Sequence, residues 1–305
     1  MKCEKKICWR RWLSAGIVIM LVTGIWCGYQ IWRSYHTLEI SIIPVTLERW
    51  TTEGSGDTEL RVAVLADLHA SSFGEENQLL AEQVLAQQPD LIIMAGDMLD
   101  EQMAHCDDLL ALVEQLALVC PVYYGLGNHE RDYVESYPQL LDQLTQAGAV
   151  VLEESYVDTV IGGREIRIGG MYAYGFFSQD PDKLAQMSAS QQKTYGFLQE
   201  FQATDACKVL ICHRPDSFIF NNAGTLWDVD LVISGHVHGG QVVVPFLGGL
   251  WAPDQGWWPD YVQGLHRCGQ VWVAITTGLG SQTESLPRFN NPPEILIMDI
   301  RGQGN

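Results

Sequence analysis

Asp67-Leu68-His69, Gly96-Asp97-Met98-Leu99-Asp100, Gly127-Asn128-His129-Glu130, Cys212-His213 and Gly235-His236-Val237-His238 follow one another along a chain of 305 residues. Asp67, His69, Asp97, Asn128, His213, His236 and His238 form a hard, mixed oxygen and nitrogen donor set. Such a set suits a pair of divalent transition ions, and it lacks the thiolates common in structural zinc sites. Taken singly, these motifs are weak. Asp-x-His arises by chance, Gly-Asp after a strand is often only a turn, and isolated histidines such as His36, His105 and His266 are ordinarily surface or hydrogen-bonded side chains. Five clusters in order, each closing an apolar run where a buried strand would end, are hard to attribute to chance.

The spacing indicates how a fold would gather them. Residues 60–66 (LRVAVLA), 91–95 (LIIMA) and 122–126 read as buried strands, with helices over 77–87 and 109–119 between them. Asp67 to Asp97 is 30 residues and Asp97 to Asn128 is 31, each about one βαβ unit. Right-handed crossovers make such strands parallel, so their carboxyl ends share one sheet edge, where open α/β sheets place ligands. A strand over 38–47 precedes this unit, followed by a polar turn at 51–58 (TTEGSGDT). The second half is richer in strands: a hairpin of 157–161 and 165–172 around Gly162-Gly163, then 208–212, 230–234, 241–245, 271–276 and 294–300. The predicted fold is α/β, with two mixed β-sheets packed as a sandwich flanked by helices, in one domain spanning 37–305.

Residues 1–36 predict something else. Positions 13–32 carry no charged side chain, and twenty residues of helix span about 30 Å, the hydrocarbon thickness of a bilayer. Lys2, Lys5, Lys6, Arg10 and Arg11 precede this stretch and only Arg33 closely follows it. The positive-inside rule then puts the N-terminus in the cytoplasm and the rest of the chain outside. A core helix is rarely so long and apolar. A cleaved signal is the stronger rival, and Arg10-Arg11 resembles a twin-arginine pair, but the segment offers no small-x-small cleavage site around Gly24-Ile25-Trp26-Cys27. An uncleaved, single-pass signal anchor in the cell membrane is therefore expected, with the catalytic domain extracytoplasmic.

Six of the 18 basic residues and one of the 37 acidic ones fall in the first 36 positions, leaving a formal net charge of −24 on the remainder. Such a surface repels polyanions, which argues against general nucleic-acid binding. Five of the eight cysteines (106, 120, 207, 212 and 268) lie beyond the anchor. An odd count without regular spacing is not a disulfide framework, and Cys207 and Cys212 read as small core residues.

The ordered pattern D-x-H, G-D-x-x-D, G-N-H-[DE], H and G-H-x-H resembles that of the calcineurin-like metallophosphoesterases, without a substitution. Gly239-Gly240-Gln241, Gly278-Leu279-Gly280 and the tail from Pro287 to Glu294 are similar to the bacterial membrane-associated or exported branch of that superfamily. The resemblance covers roughly 38–300. It implies two cations sharing Asp97, one also held by Asp67, His69 and His238, the other by Asn128, His213 and His236. A bridging carboxylate suits two dications about 3.5–4 Å apart, because its charge screens their repulsion. The donor set accepts Mn²⁺, Zn²⁺ or iron.

Water between two cations is acidified towards neutrality, and both ions neutralise phosphoryl charge. His129 is the implied general acid, Asp100 would orient it and favour its imidazolium form, and Glu130 is expected to hold the loop. The implied reaction is hydrolysis of phosphate esters, phosphodiesters foremost, by a metal-bound hydroxide. Tethering brings membrane- and envelope-associated substrates within reach. The alternative from another class is a catalytically silent scaffold of the same fold, which the intact His129, Asp100 and ligand set disfavour. A single-metal nuclease is disfavoured by the acidic surface and the complete second site. Trp251, Trp257, Trp258 and Tyr261 (within WAPDQGWWPDY) read as packing for a long loop, with a lid or lipid-facing platform as the rival. Arg288 reads as either a phosphate contact or an ion-paired structural residue.

Overall fold

A computed structural model describes residues 2–50, 59–100, 106–172, 181–220, 223–280 and 286–302. The turn expected at 51–58 and His105 lie outside the described residues. The main helices are α1 (Lys2–His36), α2 (Gln78–Leu85), α3 (Asp107–Ala117), α4 (Asn128–Ser136), α5 (Leu140–Gln146), α6 (Pro181–Leu184) and α7 (Ala189–Gln202). The first strands are β1 (Glu39–Leu47), β2 (Leu60–Leu65), β3 (Leu91–Met94), β4 (Val122–Gly125), β5 (Ala149–Leu152), β6 (Ser155–Ile161), β7 (Arg164–Met171), β8 (Cys207–Cys212) and β9 (Leu231–Ser234). Four two-residue strands follow: β10 (Val243–Val244), β11 (Gly248–Gly249), β12 (Trp251–Ala252) and β13 (Gly256–Trp257). The chain closes with β14 (Gly264–Cys268), β15 (Val271–Ile275) and β16 (Glu294–Gly302).

Two six-stranded mixed sheets result, ordered β1-β16-β2-β3-β4-β5 and β14-β15-β9-β8-β7-β6. β2 to β5 pair in parallel, as the βαβ spacing requires, while β16 enters antiparallel to β2 and parallel to β1. The continuous apolar runs follow from burial on both faces. Because side chains alternate, Ala63, Leu65, Ile92, Met94 and Tyr124 meet Leu80, Leu112 and Leu116 on the helical side. Their neighbours Val62, Val64, Leu91 and Ile93 meet Val209, Ile211, Leu231 and Ile233 between the sheets. Phe197, Leu198 and Phe201 of α7 cover the outer face of the second sheet with Leu210 and Val232. The layers are helix, sheet, sheet, helix.

Ile161 pairs with Arg164 across Gly162-Gly163, whose φ of 59° and 79° is the left-handed backbone that a two-residue hairpin turn needs. The strand expected over 241–245 shrinks to β10, paired with β11 and bonded on its other side only through an isolated bridge to Phe289. Gly239 and Gly240 turn the chain immediately before it, and Pro245 has no N–H to extend the ladder. The described cysteines 27, 106, 120, 207, 212 and 268 are all free.

Candidate metal centre

All five clusters meet at the carboxyl ends of strands. Asp67 follows β2, Asp97 follows β3, Asn128 opens α4 after β4, His213 follows β8 and His236 follows β9. Backbone bonds lace these turns together: Asp67 N donates to Gly96 O (3.0 Å), His69 N to Asp97 O (3.1 Å) and Gly235 N to His213 O (3.1 Å). His236 N donates to both carboxylate oxygens of Asp67 at 3.0 Å, joining one sheet to the other. Asp67, His69, Asp97, His236 and His238 themselves take φ between 47° and 70°. Non-glycine residues rarely sit there, and such strain concentrates at functional sites. Close approach needs glycine elsewhere. A Cβ on Gly127 would collide with the Asp97 carboxylate, and one on Gly278 would lie 2.7 Å from Asp67 Cβ.

Three sets of donor atoms each lie within 4.8 Å of one another: Asp67, His69 and His238; His69, Asp97 and His129; Asp97, His213 and His236. The first and third correspond to the two halves of the expected ligand set, and His69 and Asp97 link them. His213 Nδ1 lies 2.7 Å from Ala95 O, so it must donate its proton there. Its Nε2 lies 3.0 Å from Asp97 Oδ2: protonated, it donates to that carboxylate, and in the neutral ring it offers a lone pair to a cation instead. His238 Nδ1 lies 3.2 Å from Gly280 O, the same arrangement for a second ring. Both nitrogens of His69 and Oδ1 of Asn128 are buried without a hydrogen-bond partner, while Nε2 of His213 and His236 face only carboxylate oxygens, of Asp97 and Asp254. Buried polar atoms are rarely left so, and a divalent cation is the group these convergent lone pairs fit.

The electrostatics of three of the four rings point the same way. Burial pushes the Asp67 carboxyl up to about 7, lowers the His69 imidazole to about 4, and lowers His236 and His238 as well. Neutral imidazoles are the form that binds metal. Burial opposes charge on Asp97 and His213 too, yet each holds the other ionised. Asp97 falls well below the usual carboxylate range and His213 rises to about 9.

Glu130 ties the loops. Its Oε2 accepts from Asp97 N (2.8 Å) and Gly127 N (2.7 Å), and its Oε1 accepts from Met98 N (2.7 Å) and Tyr124 OH (2.8 Å). The side chain is fully buried, so these bonds replace its hydration. Glu130→Gln puts an amide NH₂ against backbone donors. Metal affinity should fall about 10–100-fold, the usual cost of losing support behind a ligand, with about 1–3 kcal/mol of stability. Metal titration and thermal melts of the variant check this; unchanged affinity would remove Glu130 from that role.

His129 N donates to Asp97 Oδ1 (2.8 Å), its Nε2 lies 4.0 Å from Asp97 Oδ2, and its ring meets that of His69 edge-on at 4.6 Å. Asp100 is buried, and its charge favours the protonated form of His69. Arg288 proves structural: its guanidinium donates to the carbonyls of Thr277, Gly278, Gly280, Asn291 and Pro292. The expected packing of the aromatic loop holds for half-buried Trp251 and Tyr261 but not for Trp257 and Trp258, which are exposed.

Two residues beside the cluster went unread in the sequence. Arg214 pairs with Asp254, and Asp254 Oδ2 lies 3.4 Å from His236 Nε2. Arg214 directly follows His213, a position that signals site proximity, whereas Asp254 reaches His236 only through folding of the aromatic loop.

Residues 60–240 match the family of calcineurin-like phosphoesterases. The chain is 28% identical over 255 residues to an uncharacterised metallophosphoesterase of Campylobacter jejuni, covering 80% of this chain but only 60% of that protein. It is 24% identical to the uncharacterised metallophosphoesterase YkuE of Bacillus subtilis, over 90% of this chain and 86% of the relative. It is 27% identical to the phosphodiesterase YaeI of Escherichia coli, over 79% and 82%.

Proposed function

The chain belongs to the calcineurin-like phosphoesterase family, and from that premise we propose that it is a membrane-anchored, dinuclear-metal hydrolase of phosphate esters, phosphodiesters foremost. The observation that carries this reading is the convergence of buried, partnerless donor atoms around Asp97. Asp67, His69, Asp97 and His238 would hold one divalent cation, and Asp97, Asn128, His213 and His236 the other. When bound, the pair supplies acidification of an attacking water and neutralisation of phosphoryl oxygens. Mn²⁺, Zn²⁺ or iron would fit the donors.

The protein's own groups do the rest. His129 Nε2 faces the cluster and delivers a proton to the departing alkoxide. Asp100 orients that ring, acting through His129. Glu130 fixes the two loops that carry Asp97 and Asn128. The name of the Escherichia coli relative supports the diester preference.

Residues 1–36 form a basic cytoplasmic tip and signal anchor, and 37–305 the catalytic domain, extracytoplasmic by the positive-inside rule. Support for the anchor is a helical stretch, Trp12–His36, long and apolar enough to cross a membrane, with mean hydropathy 1.7.

Removing and restoring metal tests the whole reading. Chelation should abolish hydrolysis of a bis-aryl phosphodiester. It should also lower the melting temperature by roughly 5–10 °C, because ligand at a hundredfold excess over Kd stabilises by about 2.7 kcal/mol. Mn²⁺, Zn²⁺ or Fe²⁺ should restore both. A protein whose melting ignores chelator and all three metals has no such centre.

A further inference from the structure

The carboxyl edge that carries the metal centre is also the edge from which α1 departs. β1 starts at Glu39, three residues after α1 ends, and is parallel to β16, which is antiparallel to β2. β1 therefore starts beside the end of β2, where Asp67 sits, and runs away from it. The last turns of α1 pack onto that edge. Buried Ser34 Oγ accepts from Asn291 N (3.1 Å), Tyr35 OH accepts from Arg288 N (3.0 Å), and Trp26 meets Phe289 edge-on at 5.7 Å. Asn291 Nδ2 in turn donates to His238 O (2.7 Å).

Trp26 lies ten residues before the helix end, about 15 Å back along its axis at 1.5 Å per residue. The domain thus reaches alongside the apolar helix. At that depth, Phe289 bridges to Val242 and accepts from Val243 N (2.9 Å), where the β10–β11 hairpin begins. The tip of the hairpin exposes Phe246 fully and Leu247 by 67%. The β12–β13 hairpin joins it through Trp258 N to Leu250 O (2.9 Å) and exposes Trp257 and Trp258. Large aromatic and aliphatic side chains exposed together beside a membrane span are the composition of an interfacial anchor. The β10–β11 hairpin follows the His238–Gly240 turn, and Leu250 N, between the two hairpins, donates back to Gly240 O (3.2 Å), so both are tied to the turn that carries His238.

We propose that these two hairpin tips are immersed in the outer leaflet, that the metal centre faces the bilayer surface, and that its substrate is a phosphate ester carried by an amphiphile of that leaflet. The proposal rests on α1 spanning the membrane and on the centre being a phosphoesterase site. Apolar insertion is the means that suits a domain of net charge −24 at an anionic surface.

Full-length protein in nanodiscs of phosphatidylcholine and phosphatidylglycerol, labelled with an environment-sensitive fluorophore at Phe246→Cys, tests the placement. Leu118→Cys, 87% exposed and at the far edge before β4, is the control, and unsubstituted protein gives the native-cysteine background. The label at 246 should be blue-shifted and quenched by spin-labelled lipid, and the label at 118 should not. A 246 label as solvent-exposed as that at 118 overturns the proposal.

Phe246→Asp combined with Leu247→Asp should leave hydrolysis of the soluble bis-aryl phosphodiester unchanged. Turnover of a fluorescent phosphatidyl diester embedded in the discs should drop about tenfold or more. A lipid ester left untouched by wild-type protein that cleaves the soluble ester, or a lipid ester cleaved equally by wild type and the double variant, overturns the substrate class. An immersed label with neither ester cleaved by wild type supports the orientation and counts against the phosphoesterase reading itself.

Discussion

Asp97→Asn is expected to cut phosphoester turnover by on the order of 10³-fold or more, the several kcal/mol of charge stabilisation that bound metal contributes to such reactions. One carboxylate sits within 4.8 Å of donor atoms from both halves of the cluster, so one charge serves both cations. An amide of the same shape keeps an oxygen for His129 N but no charge to hold two dications together. Metal content should fall for both ions at once. The metal-free fold should survive, because burying the charged Asp97 carboxylate is itself costly. Retention of two full equivalents, measured by elemental analysis on folded protein, would mean that Asp97 is not shared.

His129→Ala should behave differently: both ions stay, and turnover falls about 10²–10⁴-fold, the contribution of one general acid. The loss should be steep for an alkyl ester, whose leaving alkoxide needs the proton, and shallow for an activated aryl ester. Steady-state rates on the two esters, with metal content measured in parallel, separate these effects. An equal loss on both esters, or none on either, would place His129 outside proton transfer.

The gathering of Asp67, Asp97 and Asn128 was legible because β2, β3 and β4 are almost wholly buried and appear as near-continuous apolar runs at a nearly constant interval. The carry-over of His213, His236 and His238 rested on motif order, and the structure brings those rings to the same edge. α4 escaped notice because NHERDYVES has no apolar period; its start is fixed by the tertiary bonds of Glu130. β5 and β14 are short edge strands with weak patterning.

The left-handed backbone at Asp67, His69, Asp97, His236 and His238 could not be foreseen either, since these residue types rarely adopt it without a surrounding structure that compels them. Asp254 and the packing of α1 against the carboxyl edge share one cause of invisibility. Each depends on long-range contact, the aromatic loop folding back onto His236 and the first strand pairing with the last.

Anomalous diffraction from crystals of the full chain grown with Mn²⁺ measures the central claim directly. Two peaks are expected, both within bonding distance of Asp97, one completed by Asp67, His69 and His238 and the other by Asn128, His213 and His236. A single peak, or two peaks without a common carboxylate, would contradict the account.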